Sequence, residues 1–136
     1  MNARKYLLLI AVLLPLVLTA CSSGPEQAAK EFIEASMGGD GATALQLTCD
    51  QYKEQVQMSG MLSAGVGMLV GIDPQSAEVD LSDLNFETVS ESGDTTTVNV
   101  NGEAMMSILG AAMPQVIDIN ITMVKEDGDW KYCGAR

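Results

Sequence analysis

Apolar and polar positions change rhythm three times along this chain. Residues 7–18 form one apolar run, interrupted only in shape by Pro15, with Arg4 and Lys5 ahead of it. Ala28, Ala29, Phe32, Ile33 and Met37 then recur at helical spacing, while Lys30, Glu31 and Glu34 face the other way. That pattern predicts an amphipathic helix of about thirteen residues, opened by Pro25 and Glu26 and stopped by Gly38-Gly39-Asp40-Gly41. A short second helix is expected through Ala42, Ala44, Leu45, Leu47 and Thr48, with Cys49 near its end. A third begins at Asp50 with Tyr52, Val56, Met58 and Met61. Eighteen residues without a charge lie between Glu54 and Asp73, and Gly60, Gly65, Gly67 and Gly71 fall among them. Each glycine weakens a helix by ~0.8–1 kcal/mol relative to Ala, so the segment either packs closely on another backbone or frays into a loop. Asp73-Pro74 marks its break.

Beyond residue 78 the period becomes two. Val79, Leu81, Leu84, Phe86 and Val89 read as a strand whose phase slips around Ser82-Asp83, the mark of a bend or bulge. Ser92-Gly93-Asp94 is a turn. Val98, Val100, Gly102, Ala104, Met106 and Ile108 share one face of the next strand, Gly110 to Pro114 reads as a turn or short helical excursion, and Ile117, Ile119, Ile121 and Met123 alternate in a third strand. Lys125-Glu126-Asp127-Gly128-Asp129 turns into a last strand, Trp130 to Cys133. A three-residue turn with Gly128 in a bulge would set Cys133 opposite Ile121 on the apolar face, aimed at the helices; a two-residue turn would set it opposite Thr122 on the polar face. The first arrangement is expected. Helices followed by strands make this an α+β chain, its N-terminal helices packed on one face of an antiparallel sheet of about four strands.

The first apolar run is too short to span a bilayer, which takes ~20 residues, and its charged start and small-residue ending follow the layout of an export signal. Leu18-Thr19-Ala20-Cys21 resembles the bacterial lipoprotein box. The resemblance implies cleavage before Cys21, two or three acyl chains on it, and a cell-envelope location: the outer membrane facing the periplasm in a Gram-negative host, otherwise the outer face of the cytoplasmic membrane. The expected division is therefore 1–20 signal peptide, 21–24 lipidated Cys and tether, and 25–136 a single domain. Only Ser22, Ser23 and Gly24 separate Cys21 from Pro25, a reach of at most ~11 Å.

From residue 21 on, five cations (Lys30, Lys53, Lys125, Lys131, Arg136) face all eighteen acids, a net of −13. That balance argues against nucleic acid as a partner. With Cys21 taken by lipid, Cys49 and Cys133 remain in an oxidising compartment, where a disulfide is the simplest outcome. There is no CxxC and no His in the chain to build a metal site or activate a thiolate, and no cofactor is expected. Asp80, Asp83 and Glu87, or Asp127 with Asp129, lack the spacing of a calcium loop and read as a solvated acidic surface.

The helix with its Gly-Asp turn into Ala44-Leu45-Gln46-Leu47 (residues 28–49), and the closing segment Lys125 to Gly134 with its Glu126-Asp127-Gly128-Asp129-Trp130-Lys131-Tyr132-Cys133-Gly134, resemble the nuclear transport factor two-like superfamily. More narrowly, they are similar to small bacterial lipoproteins carrying an uncharacterised domain of that type. The resemblance implies a cone of helices on a strongly curved sheet, with a pocket or a dimer face. Enzymes of that superfamily use an Asp, Tyr or His in the pocket; no residue here matches such a site by motif. The expected function is a non-enzymatic binding or interaction module for an apolar ligand or a protein partner. The alternatives are a pocket enzyme of isomerase or dehydratase type, using a carboxylate or Tyr, and a purely structural envelope module. Methionine is flexible and polarizable. Phe32, Met58, Met61, Met68, Met106 and Met113 are accordingly the candidate lining of an apolar pocket or of a homodimer interface, against the blander reading that Met fills a core poor in aromatics.

Overall fold

The computed structural model describes residues 23–71 and 78–136. The signal segment, Cys21 and the Asp73-Pro74 break lie outside them. Three helices precede a four-stranded antiparallel meander: α1 Pro25–Met37, α2 Gly41–Gln46, a single 3-10 turn Asp50–Tyr52, α3 Lys53–Val70, then β1 Glu78–Ser92, β2 Thr95–Ile108, β3 Ala111–Glu126 and β4 Asp129–Ala135, in spatial order β1-β2-β3-β4. The sheet is curved, and α1 packs on it, touching all four strands.

α1 begins at Pro25, whose missing N–H is one of the helix's orphan donors anyway. Its Glu26 carboxylate accepts the Thr88 N–H at 2.9 Å, tying the helix start to β1. Ala28, Ala29 and Ala35 are buried, and such small side chains let the helix lie close on the strands. Two linked clusters form the core. In one, Ala28 and Ala29 meet Val98, Val100, Ile121 and Met123; in the other, Phe32, Ile33 and Ala35 meet Ala44, Leu81 and Ala104. α2 is capped by Asp40, whose carboxylate accepts the Thr43 N–H at 3.1 Å. At its far end the Lys131 ammonium donates to the Gln46 carbonyl at 2.7 Å.

The slip around Ser82-Asp83 is a bulge: the β1–β2 register jumps between Asp80 and Asp83. Gly102 lies opposite it at φ +134°, and a Cβ there would sit 2.2 Å from the Asp83 carbonyl oxygen. Only glycine fits so close an approach.

Two expectations about turns need correction. Residues 110–114 make no excursion. Leu109-Gly110 is a two-residue turn with both φ positive, and β3 starts at Ala111 with Pro114 opposite Met105. Proline is tolerated there because β4 pairs with β3 only from Ile121 onward, so among the described residues no second strand pairs with residue 114. The last turn is likewise the two-residue Asp127-Gly128, again with both φ positive, as a type I′ hairpin requires. Tyr132 is therefore opposite Met123, and Ile121 pairs with Ala135, so Cys133 and Gly134 together oppose Thr122 in a bulge.

The disulfide forms nonetheless, Cys49 to Cys133, with Cα atoms 5.4 Å apart. Its route differs from the one expected. Cys49 is not reached from across the helix layer. Residues Leu47 to Cys49 run parallel to the outer edge of β4, where the Tyr132 N–H donates to the Leu47 carbonyl (2.7 Å) and the Cys49 N–H to the Tyr132 carbonyl (2.8 Å). The two cysteines are neighbours along that edge.

α3 departs from both expectations for its glycines. It continues to Val70, and a Cβ at Gly60 or Gly65 would meet nothing within 4 Å. It packs chiefly on α2 and the 3-10 turn, and Val56 reaches the Phe32 cluster. Beyond it Met58, Met61, Leu62, Met68 and Leu69 are exposed, so methionine does not serve here as core filler.

A candidate ligand groove beneath the third helix

A groove of about 580 Å³ runs between α3 and the body of the domain, open to solvent along one side. Its floor is aromatic. Phe32 from α1 stacks on Tyr132 from β4, with ring centroids 3.9 Å apart and planes 7° from parallel. Tyr52 stands edge-on to Tyr132 at 6.4 Å and 75°. Each ring has a local reason for its place. Phe32 is on the buried face of α1; Tyr132 is opposite buried Met123; Tyr52 ends the 3-10 turn that follows Cys49. Gly134, at φ +115° in the β4 bulge, makes room for Tyr52, since a Cβ there would sit 3.0 Å from the phenol oxygen.

The walls are Ala44 and Leu45 of α2 and Val56, Gly60, Met61 and Ala64 of α3, with Ser36, Ser59 and Ser63 supplying hydroxyls and Gln55 and Gln57 carboxamides. Among the described residues no carboxylate, Lys or Arg lines the groove, and the ionisable groups there are the two phenols. Burial, and then the charge Tyr52 would carry, push the Tyr132 phenol above its ordinary value. Tyr132 is thus a neutral hydroxyl across the physiological range. The carboxylates shifted downward, Asp40, Asp50 and Asp80, are surface groups held there by hydrogen bonds from Thr43, Lys53 and Ser82 respectively.

The residues singled out from the sequence do not all gather here. Phe32 and Met61 line the groove. Met58 and Met68 are on α3 but do not line it; they are exposed, as is Met113 of β3, while Met106 of β2 is half-buried. The six residues therefore form no single wall. Tyr52 and Tyr132 were missed as site residues. The signal lay in the cysteines: once 49 pairs with 133, residues 52 and 132 are brought together. Among the described residues no three Cys, Asp or Glu converge as a metal site, and no helix is long and apolar enough to cross a membrane.

No family model and no curated protein matches this chain. Solved structures do resemble it. A SEC-C motif containing protein from Rhodopseudomonas palustris superposes with a TM-score of 0.54 at 18% identity, over 82% of this chain and 77% of that one. A candidate dehydratase of the nuclear transport factor two-like family from Streptomyces avermitilis superposes with a TM-score of 0.53 at 16% identity, over 80% of this chain and 88% of its own. With helices first, a curved four-stranded meander after them and a groove between, the chain has the nuclear transport factor two-like α+β fold.

Proposed function

We propose that this protein is a lipid-anchored envelope module that binds an apolar or aromatic small molecule in the groove beneath α3. The observation that carries the reading is the lining: three aromatic rings, aliphatic and Met walls, a few hydroxyls, the carboxamides of Gln55 and Gln57 and, among the described residues, no charge, in a volume of about 580 Å³. Ligand sites have this character, a mainly apolar concavity of ~300–1,000 Å³ with a few orienting polar groups. The same lining favours binding over acid–base catalysis, which needs a group that titrates near the working pH. Anchoring rests on the export-signal layout and on Cys21 with its box.

Native mass spectrometry of residues 22–136 tests the binding role, together with displacement of a lipophilic fluorescent dye. A co-purifying apolar adduct is expected. Ala64→Trp, which fills the groove, should abolish dye binding, whereas Leu69→Glu on the outside of α3 should leave it unchanged. No adduct, and a dye signal indifferent to Ala64→Trp, would overturn the reading. Anchoring is tested separately by the mass of the membrane-extracted N-terminus; an unacylated end beyond residue 21 refutes it.

A further inference from the structure

α3 is amphipathic in the wrong sense for a helix lying on its own domain. The centre of the face towards the groove carries Val56, Ser59, Gly60 and Ser63, spaced i, i+3, i+4 and i+7 and mostly small, with Gln55, Gln57, Met61 and Ala64 along its margins. Large apolar side chains point the other way: Met58 is 65% exposed, Leu62 66% and Leu69 87%. A surface helix normally buries its apolar stripe inward. Here the outward stripe Met58, Leu62, Gly65, Leu69 steps by four, three and four residues, the spacing of a coiled-coil seam. Met61 and Met68 flank it, also exposed.

We infer that this stripe docks a second copy of the chain, through an antiparallel α3–α3 pair about a two-fold axis. Three observations select that occupant. The stripe is self-complementary: with the axis between residues 62 and 65, each Leu62 falls opposite the partner's Gly65, where no Cβ obstructs it. Charge permits it as well. The chain is strongly acidic, so most pairs of faces would bring carboxylates together, whereas α3 is uncharged after Glu54. The same absence of Lys and Arg after Lys53 sets α3 apart from interfacial membrane helices, whose polar face is basic. One helix pair ~27 Å long buries less than the ~800 Å² per partner of a standard interface, so the association is concentration-dependent rather than obligate.

The test is cross-linking of the full chain in its membrane. Gly65→Cys places two thiols about 10 Å apart across the axis, given the 8–10 Å separation of packed helices, within reach of a short bismaleimide. A covalent dimer is expected from Gly65→Cys and none from Glu91→Cys at the far end of β1. Adding Leu62→Glu and Leu69→Glu should cut the Gly65→Cys product at least tenfold. Both leucines are exposed, and an intact Cys49–Cys133 bond on a non-reducing gel reports that the variants fold. No dimer from Gly65→Cys, an equal yield from Glu91→Cys, a yield indifferent to the glutamates, or capture of a different protein or of lipid instead of a second copy would each overturn the inference.

Discussion

Reducing the Cys49–Cys133 bond perturbs the fold in a way that can be worked out in advance. The bond closes a loop of 84 residues. In the chain-entropy treatment a loop of that length restricts the unfolded chain by about 4.5 kcal/mol. Little of this is offset in the native state, because the Leu47–Tyr132 and Tyr132–Cys49 hydrogen bonds hold the same segments together without the sulfurs. A domain of this size has a total stability of ~6–16 kcal/mol. The reduced protein should therefore remain folded at 25 °C, with Tm lower by ~15–20 °C. Urea melts of oxidised and reduced protein, with Cys49→Ala/Cys133→Ala as a check, measure the difference. Cys49 is fully buried, so the variant carries a small additional void term that the reduced wild type does not. A loss under ~1 kcal/mol in two-state melts would refute the argument, for it would mean that the unfolded chain is not restricted by the bond.

Other expectations can be checked by the same melts. Gly102→Ala forces a Cβ onto the Asp83 carbonyl at an unfavourable φ and should lower stability by more than ~2 kcal/mol. Thr96→Val should raise it by ~1 kcal/mol, because the Thr96 hydroxyl is buried without a hydrogen-bond partner among the described residues. Leu109→Asn should also stabilise, by ~0.5–1 kcal/mol, since Leu109 is exposed and sits at φ +53°, a region Asn tolerates better. Two pH limits follow from the shifted groups. Asp40, Asp50 and Asp80 titrate below their ordinary range in the folded chain, so their small contribution is present above that range and lost as pH falls through it. Tyr132 titrates above its ordinary value, so its contribution is intact below about pH 10 and lost as pH rises through the folded value. Tyrosinate absorbance of wild type and Tyr132→Phe locates the second limit.

Local chemistry explains what could be read from the chain alone. α1 announces itself through Pro25, its 3.6-residue stripe and the Gly38-Gly39 stop, and the β1 bulge through a single slip of phase. The last turn is not legible in the same way: Cys133 reaches Cys49 without facing the helices, because the Leu47–Cys49 segment joins β4 edgewise, a long-range pairing with no local signature. Residues 110–114 misled because Pro114 looks like a strand breaker until one knows that among the described residues no second strand pairs with it. The groove was half legible for a similar reason. Periodicity tells which residues of α3 share a face. It does not tell which face meets the domain, and α3 turns its small residues inward.

The Cys49–Cys133 bond also closes most of the domain into a ring, with α1 and α2 outside it. Everything from the start of the 3-10 turn to the last strand lies within it, including α3 and the first three hairpin partners. A protease that cuts once anywhere inside that ring releases no fragment. The nicked molecule gains only one water and, where its packing holds, keeps its shape until a reductant opens the circle. A denaturing gel run without thiols would thus show such cuts as no separated fragment.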